Sequence, residues 1–164
     1  LHLSIRRQRQ MCIRDRTSKG TSKAGDPNLV ARIDAEGVPY WVTLGITVED
    51  AVAPGHLFLR LPMQPSLGTR RPDFMHGGAI SSLIDAAAGG AIISQFGADD
   101  DYAGQATLDL NVTFLNAATA DVVAEARIIR SSRALAFTQV EVRMEDGTHV
   151  ATGRATFSII RKRS

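Results

Sequence analysis

Residues 76–96 read HGGAISSLIDAAAGGAIISQF, the one long helical pattern in a chain of 164 residues. Advancing about 100° per residue from Gly78 gathers Ile80, Leu83, Ile84, Ala87 and Ala91 into one bulky face. Gly78, Ser82, Asp85 and Gly89 fall on the other side, all within about 40° of one another's mean direction. The spacing therefore predicts a helix over Gly77–Phe96 that is buried on its large side chains and closely approached on its small ones. Its only charge, Asp85, lies on the small side. The apolar part, Ala79 to Ile93, is short of the roughly 20 residues a bilayer crossing requires and carries Ser81, Ser82 and Asp85, so it reads as the central helix of a soluble fold with no membrane partner.

Working outward, the flanking segments read as strands. Upstream, Asp26-Pro27 can cap a short helix that Gly37 stops. Tyr40 to Val52 then alternates through Val42, Leu44, Ile46 and Val48, which predicts a half-buried strand. Pro54-Gly55 turns the chain into His56–Leu61, with Leu57, Leu59 and Leu61 on one face. Pro62 to Met75 holds three of the six prolines and reads as an irregular loop. Downstream, Ala106 to Leu115 alternates, placing Leu108, Leu110, Val112 and Phe114 inward and Thr107, Asp109, Asn111 and Thr113 outward. Asp121–Arg130, Ala134–Met144 and Thr148–Ile160 follow as strands, the last two joined through Asp146-Gly147, a strong hairpin signal. The expected fold class is α+β, a curved antiparallel sheet wrapped around one long helix.

Composition narrows the function. Apolar residues make up 44% and charged residues 22% of the chain, the balance of one folded domain. The net charge of +2 conceals an asymmetry: residues 1–23 hold seven Lys/Arg and one acid, Asp15, leaving 12 basic and 16 acidic residues in the rest. Residues 1–25 lack periodicity and read as a disordered basic tail. Their QMCIRDR run resembles translated sequencing adapter, so the tail is expected to lie outside the natural gene product and the domain to span residues 26–164. No aromatic residue interleaves the tail's arginines, so no nucleic-acid partner is expected. A single cysteine, Cys12, excludes an intramolecular disulfide framework and a multi-thiolate zinc site, and fits a reducing, cytoplasmic location.

The chemistry concentrates at the start of the helix. A helix N-terminus offers backbone N–H groups without intrahelical partners and about half a positive charge, able to hold a developing oxyanion. Gly77 and Gly78 let a carbonyl approach without a Cβ in the way. Asp85 among Ala86, Ala87 and Ala88 is desolvated, so it is either hydrogen-bonded within the fold or used to activate a water or attack a carbonyl. His76 has no second ligand at Ala79 or Ile80, so no metal site is expected. Asp99-Asp100-Asp101 lacks the calcium-loop spacing. Nucleophile-elbow, phosphate-loop and dinucleotide motifs are missing, so no cofactor is expected.

HGGAISSLIDAAAGGA at 76–91, TLDLNVTFLNAA at 107–118 and RSSRALAFTQVEVR at 130–143 resemble the PaaI-like group of hotdog-fold acyl-CoA thioesterases, with the likeness running from Tyr40 to Ile160. The resemblance implies hydrolysis of an acyl-CoA thioester by a homodimer or homotetramer whose active site lies between subunits. It makes Asp85 the carboxylate nucleophile or general base and Gly77 the backbone oxyanion donor, with His76 beside it and Thr107 positioning water or the acyl group. Gly78, Arg70 and Arg133 become substrate-binding candidates, Arg133 toward the nucleotide phosphates. Where many members carry an Asn six residues before the His, this chain has Arg70, which cannot accept a hydrogen bond. Two other readings of the residues are a hotdog module that binds acyl-CoA without turnover and a hotdog enoyl-CoA hydratase or dehydratase.

Overall fold

The computed structural model describes residues 29–31, 33 and 37–163. The basic tail and the Asp26-Pro27 cap lie outside them, while Leu29, Val30, Ala31 and Ile33 are helical, with Leu29 and Ile33 buried. Helix α1, Pro39–Leu44, replaces the first half of the strand that alternation predicts over Tyr40–Val52. Pro39 sits where its missing N–H costs nothing, and Gly45 (φ 76°) ends the helix with Gly45 N–H on Val42 O and Ile46 N–H on Trp41 O. Strand β1 therefore begins only at Thr47 and runs to Ala53. Strand β2, His56–Leu61, buries Leu57, Leu59 and Leu61. A 3₁₀ turn, Pro65–Leu67, interrupts the loop before α2, Gly77–Ile93. Strands β3 (Tyr102–Phe114), β4 (Val122–Ser131), β5 (Leu135–Met144) and β6 (His149–Arg161) complete the chain.

The six strands form one antiparallel sheet in the order β1-β2-β4-β5-β6-β3, with α2 lying in its concave face against β2, β4 and β5. This is the hotdog arrangement. Leu83, Ile84, Ala87, Ala91 and Ile92 are fully buried against Leu57, Leu59, Val122, Ala124, Ala126, Val140 and Val142. Burial of side chains of this size contributes about 1.5–3 kcal/mol each for the larger ones. The helix packs tightly on Gly153, where an added Cβ would meet Ile84 Cγ2 at 2.6 Å.

Strand β3 departs from its expected alternation. Its partners on the buried face of β6 are Phe114 on Ala151, Val112 on Gly153, Leu110 on Ala155, and then Thr107 on Phe157 and Gln105 on Ile159. The register slips between Thr107 and Asp109, leaving Leu108 as the extra residue of a β-bulge. The slip turns Thr107 to the concave face instead of outward and removes Leu108 from the inner set. β3 is also the sheet's edge, and among the described residues none covers it: Leu108, Leu110 and Phe114 are 60%, 37% and 52% exposed.

Candidate active site

His76 is the N-cap of α2, and its Nδ1 accepts the Gly78 N–H at 2.8 Å. Acceptance at Nδ1 places the neutral ring's proton on Nε2. His76 O takes the N–H groups of Ala79 and Ile80. Among the described residues the Gly77 N–H, first in the helix, has no acceptor, so it is the donor left for a ligand, while that of Gly78 is occupied. A Cβ on Gly77 would lie 3.1 Å from the half-exposed Phe114 ring, which would have to shift, and one on Gly78 would lie 2.9 Å from His76 Nδ1 and press on the ring that caps the helix. A concavity of about 310 Å³ opens beside Gly77, lined by Met75, Ile80, Phe114, Leu115 and Ala118.

Asp85 lies two turns further along the same open stripe. Its Oδ1 accepts the Thr107 hydroxyl at 2.9 Å, a bond made possible by the bulge that turns Thr107 inward. Burial against the helix and sheet raises the Asp85 pKa above the ordinary carboxylate range, and the Thr107 bond partly opposes the rise. Beyond Asp85 the stripe is filled: Gln105 Nε2 donates to Gly89 O at 2.9 Å, and Gln105 Oε1 is buried with no partner among the described residues. On the other flank, α1 sets Tyr40 against Ser82, phenol to hydroxyl at 2.9 Å. Sequence reading missed this contact because it placed Tyr40 in a strand. Pro39 and Gly45, at helix start and stop positions, were the available signal.

The fold thus brings Asp85 to Thr107, and His76 to Gly77 and Gly78. It does not bring the two groups together within one chain, since eight residues of helix separate Asp85 from Gly77 by about 12 Å. Arg70 is exposed on a compact loop closed by the Gly68–Met75 bridge and by Thr69 N–H on Phe74 O, near the start of α2. Arg133, 83% exposed, reaches Asp101 Oδ2 at 3.4 Å, past the other end of α2. Among the described residues no group of three or more His, Cys, Asp or Glu could hold a metal ion, and no helix is long and apolar enough to cross a membrane.

The family model described as Thioesterase superfamily matches residues 73–151, a span containing His76, Gly77, Asp85, Thr107 and Arg133. A protein of Halobacterium salinarum named as an esterase is 34% identical over 126 residues, covering 72% of this chain and 82% of the relative. A solved structure of a conserved protein from Pseudomonas aeruginosa is 31% identical with a TM-score of 0.67, covering 75% of this chain and 94% of that one. The PaaI protein of the E. coli phenylacetic acid degradation operon superposes with a TM-score of 0.70 at 19% identity, over 81% of this chain and 92% of that one, a likeness of fold.

Proposed function

Since the chain belongs to the thioesterase superfamily, we propose that it hydrolyses an acyl-CoA thioester to a free acid and CoA, with Asp85 and the Gly77 N–H as its two working groups. The observation that carries this reading is the half-buried Asp85 carboxylate, held by Thr107 and facing an open helix stripe, in the same chain as an unoccupied helix N-terminal N–H. Ionised, Asp85 either draws a proton from the water that adds to the carbonyl carbon or adds to that carbon itself. The carbonyl oxygen takes the negative charge and is held by Gly77 N–H. The carbon–sulfur bond then breaks and its electron pair leaves on sulfur; in the first route the thiolate takes the proton that Asp85 drew from water, and in the second it takes one from solvent while a water cleaves the acyl–Asp85 anhydride, freeing the acid and restoring the carboxylate. A lost oxyanion donor of this kind raises the barrier by about 3 kcal/mol.

The separation within one chain requires a second copy. An antiparallel pairing of two β3 edges exchanges ends: the Asp85–Thr107 region of one copy meets the Gly77–Phe114 region of the other. Setting the bulge residue Leu108 aside, the pairing that puts Thr107 opposite the partner's Phe114 also puts Leu110 opposite the partner's Val112, with all four facing inward. The two-fold axis then passes through Asn111. The exposed Leu108, Leu110 and Phe114 on this edge support such a pairing. The same exchange brings Arg133 of one copy to the end that carries Arg70 of the other, which makes this end the place we propose for CoA, with Arg133 toward its nucleotide phosphates. The test is thiol release from a panel of acyl-CoAs. Turnover is expected for the intact protein, and a loss of at least about a hundredfold in Asp85→Asn. Full activity in that variant refutes the assignment.

A further inference from the structure

Asp85 has neighbours of different character on its two flanks. One is β3, which supplies Thr107 and carries the edge where the second copy is placed. The other is α1. Ser82 precedes Asp85 by three residues, so their Cβ atoms stand about 5–6 Å apart on the helix. The Ser82 hydroxyl donates to Gly78 O at 2.9 Å. A carbonyl cannot donate, so the single Ser82 proton is committed there and the Tyr40 phenol must be the donor in its 2.9 Å bond to Ser82 Oγ. The phenol is tethered and its polar end satisfied, while the residue remains 56% exposed beside the stripe. Trp41, next in α1, packs over the same helix at Gly90, where an added Cβ would lie 3.5 Å from its Cη2. Helix α1 is thus anchored at two points along α2. Toward the helix C-terminus the stripe is blocked by Gln105 at Gly89, where an added Cβ would meet Nε2 at 2.8 Å.

We propose that Tyr40 is a specificity-determining residue whose tethered ring forms the wall of the acyl site and limits it to short acyl groups; this rests on the thioesterase reading above. With the carbonyl carbon at Asp85 and its oxygen directed to the partner's Gly77 on the β3 side, the acyl group lies across the stripe toward α1. There it meets the ring, and Gln105 prevents it from turning along the helix. The ring acts by contact, while Ser82 acts only by holding it in place.

The experiment measures kcat/KM for a series of straight-chain acyl-CoAs from acetyl to decanoyl. Wild-type protein is expected to favour the short members. Tyr40→Ala is expected to raise the octanoyl-to-butyryl ratio at least tenfold, within the range by which a pocket senses a few methylenes. Tyr40→Phe and Ser82→Ala, which keep the ring but release its tether, are expected to shift the ratio by a smaller factor in the same direction. An unchanged ratio in Tyr40→Ala, with every substrate slowed by one common factor, overturns the proposal and leaves Tyr40 a structural residue. Wild-type protein that already prefers decanoyl-CoA overturns it too. Absence of wild-type turnover, or an active Asp85→Asn, instead indicts the thioesterase reading itself.

Discussion

Substituting Asn111 by Cys, in a Cys12→Ser background so that it carries the sole thiol, tests the assembly that the proposed site calls for. Directly opposite residues of an antiparallel pair have Cα atoms about 4.5–5.5 Å apart. A disulfide accepts about 4.4–6.8 Å. If the axis passes through Asn111, the two introduced thiols face each other on the outer surface of the joined sheet, and mild oxidation links most of the protein into a covalent dimer on non-reducing electrophoresis. Leu110→Cys is the stringent control. Its opposite residue is the partner's Val112, and its own copy lies diagonally about 7–8 Å away, beyond disulfide reach. Thr113→Cys, opposite the partner's Asp109, is further still from itself. Linked Asn111→Cys dimers should keep their hydrolytic activity, because the bond forms on the face away from both carboxylates. Cross-linking through residue 110 or 113 with none at 111 would refute the derived register. A fully active monomer would refute the shared site altogether.

Three other outcomes follow from the same geometry. In the proposed reaction Asp85 acts ionised, and its pKa is raised, so kcat/KM should fall as pH falls through that raised value; Thr107→Val removes the donor that opposes the rise and should move the acid limb to higher pH, read from a pH–rate profile. A carboxyl whose folded pKa exceeds its unfolded value favours the fold below the unfolded pKa and loses that contribution as pH rises through the folded one. Asp85→Asn should therefore melt higher than wild type at neutral pH, with the difference vanishing in acid, as followed by calorimetry across pH. Gly153→Ala drives a methyl to within 2.6 Å of Ile84 Cγ2, at a cost of about 1–3 kcal/mol. The melting temperature should drop by roughly 2–10 °C, and because the buried Ile84 is itself lost in Ile84→Ala, the double variant should fall by less than the sum of the two single drops.

Periodicity made the central helix legible because 3.6-residue spacing separates Leu83, Ala87 and Ala91 from Gly78, Ser82 and Asp85 whatever surrounds them. Its observed span ends three residues early, at Ile93, where Ser94 folds back onto Ala91 O. The Leu57, Leu59 and Leu61 face likewise located β2, and strand-like runs set off by short connections and the Asp146-Gly147 turn located β4, β5 and β6. Alternation failed in two places. At Tyr40–Leu44 an apolar alternation was outweighed by Pro39 and Gly45, which set backbone angles suited to a helical turn. At Thr107–Asp109 a single inserted residue reversed the faces, and a bulge leaves no periodic mark in a strand of 13 residues.

The amino-acid sequence by itself determined which groups were available for chemistry: one carboxylate among alanines, and two glycines at a helix start. Residue type and local spacing decide how a helix is capped, which face is bare and where a charge must be desolvated. Only the tertiary structure decided what those groups meet. The bulge at Leu108 gives Asp85 its Thr107 and the short helix gives Ser82 its Tyr40, while eight residues of α2 keep Gly77 and Asp85 apart, so that the site we propose calls for a second copy. These are contacts between residues 22 and 42 positions apart in the chain, fixed by sheet register and packing, and no local pattern encodes them.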